Sequence, residues 1–144
     1  MKRSRIVLTS LPILFILCAA MLLFFTGCAG TNEEIPEDLE PIEYFQQAQQ
    51  IASEKGDYIR AIRYYETFIE RYPDDLQRIV MAKYEIAFLN YKRGRYNVAM
   101  QQFDELLTYY ENEGSTVLPR WPKILAEKVQ ENIREQQRNN ADDS

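Results

Sequence analysis

Few side chains in this sequence of 144 residues could carry out covalent or metal chemistry. Histidine is absent, and the two cysteines are Cys18, inside an apolar N-terminal run, and Cys28, shortly after it. The imidazole base, the cysteine nucleophile and the ligand set of zinc sites are therefore missing from the rest of the chain. The remaining carboxylates, lysines, tyrosines and serines form no glycine-rich phosphate loop or paired catalytic motif. We predict that the protein is not an enzyme and holds no metal ion, cofactor or small-molecule substrate.

Cys28 is the residue whose surroundings most favour a chemical modification. The chain begins with three basic residues within its first five positions, continues as an uncharged run over residues 6–25 and ends this segment in Thr26-Gly27-Cys28. A basic start, an apolar stretch and small residues before a cleavage site are the parts of a secretory signal. Small residues are needed there because the peptidase threads extended backbone through a narrow cleft.

The sequence Thr26-Gly27-Cys28 resembles the lipobox of bacterial lipoproteins. That resemblance implies a signal peptide over residues 1–27 and fatty acyl chains, such as palmitate, attached at Cys28. One acyl chain binds a membrane only marginally, whereas several anchor a protein stably. Ala29 follows the cysteine. In this position the sequence resembles lipoproteins that are sorted to the outer membrane. The resemblance therefore implies a lipid-anchored protein of the outer membrane, at its periplasmic face.

An uncleaved transmembrane anchor is the alternative for the same segment. About 20 apolar residues are enough to cross a bilayer core of ~30 Å. The small residues Gly27, Ala29 and Gly30 around Cys28 favour cleavage, because a membrane-spanning helix has no need of them. Since the basic residues precede the apolar run, both alternatives place the rest of the chain outside the cytoplasm.

The rest of the chain is polar and acidic. After residue 27 it has 14 basic and 22 acidic residues, a formal charge of −8. Nucleic-acid binding requires a basic face that releases counterions from phosphates, so this charge argues against a nucleic-acid partner. It also argues against a basic helix on a membrane surface. Residues 28–40 contain Gly30, Pro36 and five acidic residues, which predict a flexible tether after the lipidated N-terminus.

Two segments that lie 38 positions apart repeat one pattern of residues. After a glycine in each copy, apolar residues at steps of three and four predict a helix with one broad apolar face. The glycines suit a left-handed turn between two helices. An alanine at the same position of each copy is small, as is needed where two helix axes approach closely. The signature residues are Gly56, Tyr58, Ala61, Tyr65 and Pro73 in the first copy, and Gly94, Tyr96, Ala99 and Phe103 in the second.

Each copy follows a helical segment of its own. Pro73 breaks the first copy, and Asp74 with Gln77 three residues later predicts a capped start of the next helix. Two rounds of helix, glycine turn, helix and turn resemble the tetratricopeptide repeat (TPR), whose usual period is about 34 residues. The longer spacing and the Tyr-Pro-Asp after the second helix resemble the BamD family of outer-membrane β-barrel assembly lipoproteins. The resemblance spans roughly residues 41–112 and implies an all-α solenoid of two repeats.

A last amphipathic segment follows Gly114 and is predicted to cap the second repeat. The final repeat of a solenoid would otherwise expose its apolar side. We therefore place the TPR domain at residues 41–138 and a disordered tail at residues 139–144. One face of the capping helix is predicted to carry Trp121, Ile124, Leu125, Val129 and Ile133.

The TPR resemblance implies that the first helix of each repeat lines a concave groove in which partner proteins bind. Tyr84, Phe88 and Tyr91 form an aromatic stripe on the first helix of the second repeat. This stripe either faces the groove or packs on Trp121 and Leu125. In the first repeat the groove candidates, with solvated surface as their alternative, are Glu43, Gln46 and Gln50.

The BamD-like resemblance implies a membrane-anchored adaptor that contacts the central barrel-assembly protein and unfolded barrel substrates. Two alternatives remain for the same sequence. One is a TPR scaffold lipoprotein of the periplasm that serves cell-wall or pilus assembly, and the other is an inner-membrane TPR protein with an uncleaved anchor.

Overall fold

A computed structural model describes residues 34–111 and 116–142 of the chain. Within these ranges there are five α-helices and no β-strand, which confirms the predicted all-α class. The predicted signal peptide, residues 1–27, and the lipidation site Cys28 lie outside the described residues. The helices are α1 (Pro41–Gln50), α2 (Tyr58–Arg71), α3 (Leu76–Lys92), α4 (Tyr96–Thr108) and α5 (Arg120–Asp142).

All five helices belong to one compact unit, Ile35–Ser144. A π-helical turn, Ile51–Lys55, continues α1. Each helix packs against the next one along the chain, and α5 also packs against α3. Within the described residues, no helix is both long enough and apolar enough to cross a membrane.

The two glycines of the repeat form left-handed turns between helices, as the sequence predicts. Gly56 has φ +64° after the π-helical turn, and Gly94 has φ +74° after α3. The N–H of Gly94 donates to the carbonyl of Tyr91 at 2.9 Å, which closes the end of α3. Because an L-residue pays for this conformation in steric repulsion of its Cβ, glycine is the residue best suited to end a helix in this way.

Replacing Gly94 with alanine is expected to lower the free energy of unfolding by about 1–2 kcal/mol. Beyond the chain neighbours, no atom of the described residues lies within 4 Å of a Cβ built at Gly94, so the cost is conformational. Gly94→Asn should lose less, because asparagine adopts positive φ more readily. Urea denaturation followed by circular dichroism compares the two variants. Equal losses for both would contradict a conformational origin.

Aspartate side chains cap the starts of α2 and α3. The carboxylate of Asp57 accepts the N–H of Arg60 at 3.0 Å, and that of Asp75 accepts the N–H of Arg78 at 3.2 Å. The sequence placed the second cap at Asp74, and this was wrong by one residue. Asp74 lies in the turn before the helix, where its carbonyl accepts a backbone hydrogen bond, whereas Asp75 also forms an ion pair with Arg78.

The core consists of two hydrophobic clusters that share α3. The first lies between α1, α2 and α3, and the second lies between α3, α4 and α5. A helix with apolar residues on most sides is expected to be central, and α3 fits this rule. Its buried residues are Ile79, Val80, Ala82, Tyr84, Ile86, Ala87, Leu89 and Asn90.

Matched positions of the two copies are buried alike. Ala61 and Ala99 are fully buried, and Tyr65 and Phe103 are 1% and 0% exposed. The first tyrosine of the two copies differs in burial, because Tyr58 packs against the first cluster whereas Tyr96 is 37% exposed. Its ring centroid lies 5.7 Å from that of Tyr91, on the surface of the second cluster. The repeat pattern therefore corresponds to repeated packing at its central positions.

The capping helix α5 packs through a face that differs from the predicted one. Ile124 and Leu125, predicted to be buried, are 58% and 38% exposed. The buried face instead includes Gln130, whose Nε2 donates to Oδ1 of Asp104 on α4 at 2.7 Å. The sequence prediction placed only apolar residues on the buried face, and it therefore did not include the amide of Gln130. The residues of α5 that are buried are Pro122, Ala126, Val129, Gln130 and Ile133.

Both ends of the predicted domain extend further than the sequence indicated. Helix α5 continues to Asp142, so residues 139–142 are helical and the predicted tail was wrong there. At the other end, Ile35 and Leu39 pack against the first cluster, and Tyr72 Oη donates to the carbonyl of Leu39 at 2.9 Å. The predicted tether over residues 28–40 is therefore wrong for residues 35–40, whereas residues 28–33 lie outside the described residues.

Arg71 completes the attachment of this N-terminal segment. Its Nη1 donates to the carbonyl of Pro36 at 2.7 Å and also to the hydroxyl of Tyr44 on α1. The guanidinium carbon lies 5.8 Å from the centroid of the Tyr44 ring. One arginine at the end of α2 thus binds both the segment before α1 and α1 itself.

Candidate partner-binding groove

A groove of about 360 Å³ lies between α1, α2 and α3. We call it the α1–α3 groove. Its lining comes from three neighbouring stretches of chain, so the packing of the first cluster determines its shape. The lining residues are Gln49 of α1, Ala52 and Ser53 of the π-helical turn, Tyr58 and Tyr65 of α2, and Glu85, Phe88, Leu89 and Lys92 of α3.

The α3 side of the groove follows from helical spacing. Glu85, Phe88, Leu89 and Lys92 are separated by steps of three, one and three, so they lie on one face of the helix. The two middle residues are apolar and the two outer ones carry opposite charges. With a rise of 1.5 Å per residue, the outer positions are separated by about 10 Å along the helix axis. The groove thus has an apolar centre between a carboxylate and an ammonium group.

Glu85 is the most unusual polar group of the groove. It is half-buried, and burial raises the pKa of its carboxyl above the ordinary glutamate value. Within residues 34–111 and 116–142, no hydrogen bond or ion pair engages this carboxylate. The pKa of Tyr65 is raised by burial and then by the charge of Glu85, and the same two causes raise the pKa of Tyr84 to about 12. Both tyrosines therefore stay neutral beside a carboxylate that lacks a counter-charge.

The predicted aromatic stripe divides between the core and the groove. Tyr84 is buried, and its ring meets that of Trp121 edge-on with centroids 5.2 Å apart. Phe88 stacks on Tyr84 with centroids 5.8 Å apart and also lines the α1–α3 groove. Tyr91 lies next to Phe88, at 5.9 Å between centroids, and is partly buried against the second cluster. Phe88 is therefore the member of the stripe that a ligand in the groove would contact.

The three candidates from the first repeat do not line this groove. The carboxylate of Glu43 accepts the N–H of Glu40 at 2.7 Å and so caps its own helix. Gln50 Nε2 donates to Glu54 at 3.1 Å, and Gln46 is exposed. Gln49 takes their place in the lining.

Sequence reasoning missed most of the polar lining residues of the groove. Their common signal is position, because each stands next to a buried or partly buried apolar residue in the sequence. A polar residue at the border of an apolar face is the kind that faces a groove when a neighbouring helix packs beside it. The missed residues are Gln49, Ser53, Glu85 and Lys92.

A second groove lies between α2 and α4, with α3 as its floor. It has two parts of about 330 Å³ each, which share Glu66 and Gln102. In the first part, burial and the neighbouring Glu70 raise the pKa of Glu66. In the second part, the buried Asn90 donates to Gln102 at 2.9 Å. Its charged walls and satisfied amide make this groove a less apolar surface than the α1–α3 groove.

The chain is similar to a protein of Treponema pallidum (strain Nichols). That protein is described as uncharacterized, and it is 30% identical to this chain over 98 residues. The matched region is 67% of this chain but only 39% of the relative, so the chain spans well under half of the relative's length. Neither a family model nor a solved structure matches the sequence.

Proposed function

We propose that the protein is a lipid-anchored adaptor of the TPR type, a BamD-like component of outer-membrane protein assembly. It binds partner proteins through the α1–α3 groove while an acylated Cys28 holds it at the membrane. In this proposal the hairpin of α1 and α2 is the first repeat, the hairpin of α3 and α4 is the second, and α5 is the cap.

The observation that carries the proposal is the repetition of one hairpin geometry at an offset of 38 residues. Both hairpins turn at a glycine with positive φ, and both bury an alanine and an aromatic ring at equivalent positions. The groove adds support, because α1 and α3, the first helices of the two repeats, both line it. In TPR proteins these are the helices that form the concave binding surface.

The membrane part of the proposal rests on the N-terminal sequence. The small residues around Cys28 follow a basic start and a long uncharged run, which together are the parts of a lipoprotein signal. Several acyl chains anchor a protein stably. An adaptor with this anchor acts where the assembly of membrane proteins takes place.

The proposal is tested by photo-crosslinking in the native envelope, followed by purification of the full chain and mass spectrometry. We expect the central barrel-assembly protein to crosslink to the wild type. Lys92→Glu, which reverses the charge of an exposed groove residue, should reduce that crosslink strongly. Lys128→Glu is the matched control, because Lys128 is exposed on α5, outside the groove.

The outcomes separate the two envelope functions. Recovery of cell-wall or pilus-assembly proteins in place of the barrel protein would contradict the BamD-like role and favour a general scaffold. In the same cells, an alkyne-tagged palmitate should label the wild type and Cys18→Ala but not Cys28→Ala. Label on the Cys28→Ala protein would contradict the lipid anchor.

A further inference from the structure

Among the described residues, no hydrogen bond or ion pair engages the carboxylate of Glu85. From α2, the groove is lined by Tyr58 and Tyr65, neither of which carries a basic group. From α1 and the π-helical turn, the groove is lined by the uncharged side chains of Gln49 and Ser53. The nearest basic group in the groove is Lys92, two helical turns away.

A half-buried carboxylate without a counter-charge is costly, and a cation that reaches it regains much of that cost. The groove is open to solvent, so a side chain can enter from outside. Lysine and arginine are the protein side chains that would supply the cation.

The end of the groove at Lys92 favours an acidic group. Lys92 is exposed there, and Phe88 and Leu89 lie between it and Glu85. A segment in the polyproline II conformation rises ~3.1 Å per residue and has three residues per turn. Its residues i and i+3 therefore lie on one side, about 9 Å apart, which fits the ~10 Å between the two charged positions on α3.

We infer that the α1–α3 groove selects an extended protein segment that places a lysine or arginine at Glu85 and, three residues further on, an acidic side chain at Lys92. The two residues between them are apolar, and because each projects about 120° to one side of the charged pair, they contact the flanks of the apolar centre formed by Phe88 and Leu89. This specificity rests on the proposed adaptor function, since it names the kind of segment that the adaptor binds. Charge complementarity at both ends, with an apolar centre, distinguishes this occupant from a purely hydrophobic one.

Fluorescence anisotropy with the full chain in detergent micelles tests the inference. The probes are three labelled peptides with Gly-Ser flanks and the central sequences Lys-Leu-Pro-Glu, Gln-Leu-Pro-Glu and Glu-Leu-Pro-Glu. The first peptide should bind, the second about tenfold more weakly, and the third more weakly still, because a charged hydrogen bond is lost and then replaced by repulsion.

Two variants assign the selection to one residue. In Glu85→Gln the lysine and glutamine peptides should bind equally, and in Glu85→Lys the glutamate peptide should bind best. Glu127→Gln is the matched control, since Glu127 is exposed on α5 and should leave the wild-type order unchanged. Removing an uncompensated charge at Glu85 is not expected to unfold the protein.

Two results would overturn the inference. One is equal binding of the three peptides to the wild type, which would leave a groove without charge selection and the adaptor function intact. The other is an absence of binding by all three. The adaptor function is judged independently by the crosslinking experiment, so its failure and the failure of this specificity are distinguishable.

Discussion

Phe68→Ala is expected to lower the free energy of unfolding by about 3–5 kcal/mol, the range measured for phenylalanine-to-alanine changes in cores. The side chain of Phe68 is fully buried in the first cluster. Its ring centroid lies 5.2 Å from that of Phe45, 5.4 Å from Tyr72 and 6.1 Å from Tyr44. Truncation removes all three ring contacts and leaves a cavity that helices on both sides cannot easily fill.

This loss is large beside the total stability of a small domain, which is about 5–15 kcal/mol. Urea denaturation of the full chain, followed by circular dichroism, measures the change. Tyr96→Ala is the control, because Tyr96 is more exposed and has a single aromatic neighbour within ring-contact distance among the described residues. A loss below about 1 kcal/mol for Phe68→Ala would contradict the described packing of α1 on α2.

The second large effect is expected from Ile133→Ala, at about 2–5 kcal/mol. Ile133 is fully buried where α5 covers the second cluster. Ile124→Ala makes the same chemical change on the same helix, but Ile124 is mostly exposed, so its effect should stay within about 0.5 kcal/mol. Both changes alter helix propensity equally. The difference between the two variants therefore measures burial alone.

The pair of isoleucines also tests how α5 is oriented. The sequence predicted both on one buried face, whereas the structure buries Ile133 and exposes Ile124. Similar losses of stability for the two variants would contradict the described orientation. Gln130→Ala is an independent check, because it removes the hydrogen bond to Asp104 that the other orientation would not contain.

The two core predictions concern clusters that are joined by one helix. Ile79, Ala82, Ile86 and Leu89 of α3 belong to the first cluster, and Val80, Tyr84 and Ala87 belong to the second. Loss of either cluster exposes part of α3. We therefore expect Phe68→Ala and Ile133→Ala each to shift a single unfolding transition that tryptophan fluorescence and circular dichroism report together.

The packing of α3 against α5 also supports the α1–α3 groove. Phe88 stacks on Tyr84, which is buried against Trp121. The wall of the groove is thus supported from behind by the contact between α3 and α5. Packing of the capping helix stabilises the surface that is proposed to bind partners, although α5 itself contributes no residue to its lining.

The sequence alone determined the helical class, the two glycine turns and the central buried positions of each repeat. These features are local. The spacing of apolar residues defines a helix face over a few turns, and a glycine with positive φ depends on its own backbone. Tyr65 and Phe103 could be predicted as core residues because each sits in the middle of such a face.

Only the tertiary structure decided the face of α5, the packing of residues 35–40 and the lining of the groove. Each depends on a partner that is distant in sequence: Gln130 binds Asp104, and Tyr72 binds the carbonyl of Leu39. The lack of a counter-charge at Glu85 also depends on distant residues, because side chains of α1 and α2 line the groove beside it. Periodicity indicates which side of a helix is apolar, but a polar residue is buried, paired or left facing a groove only when its neighbours are in place.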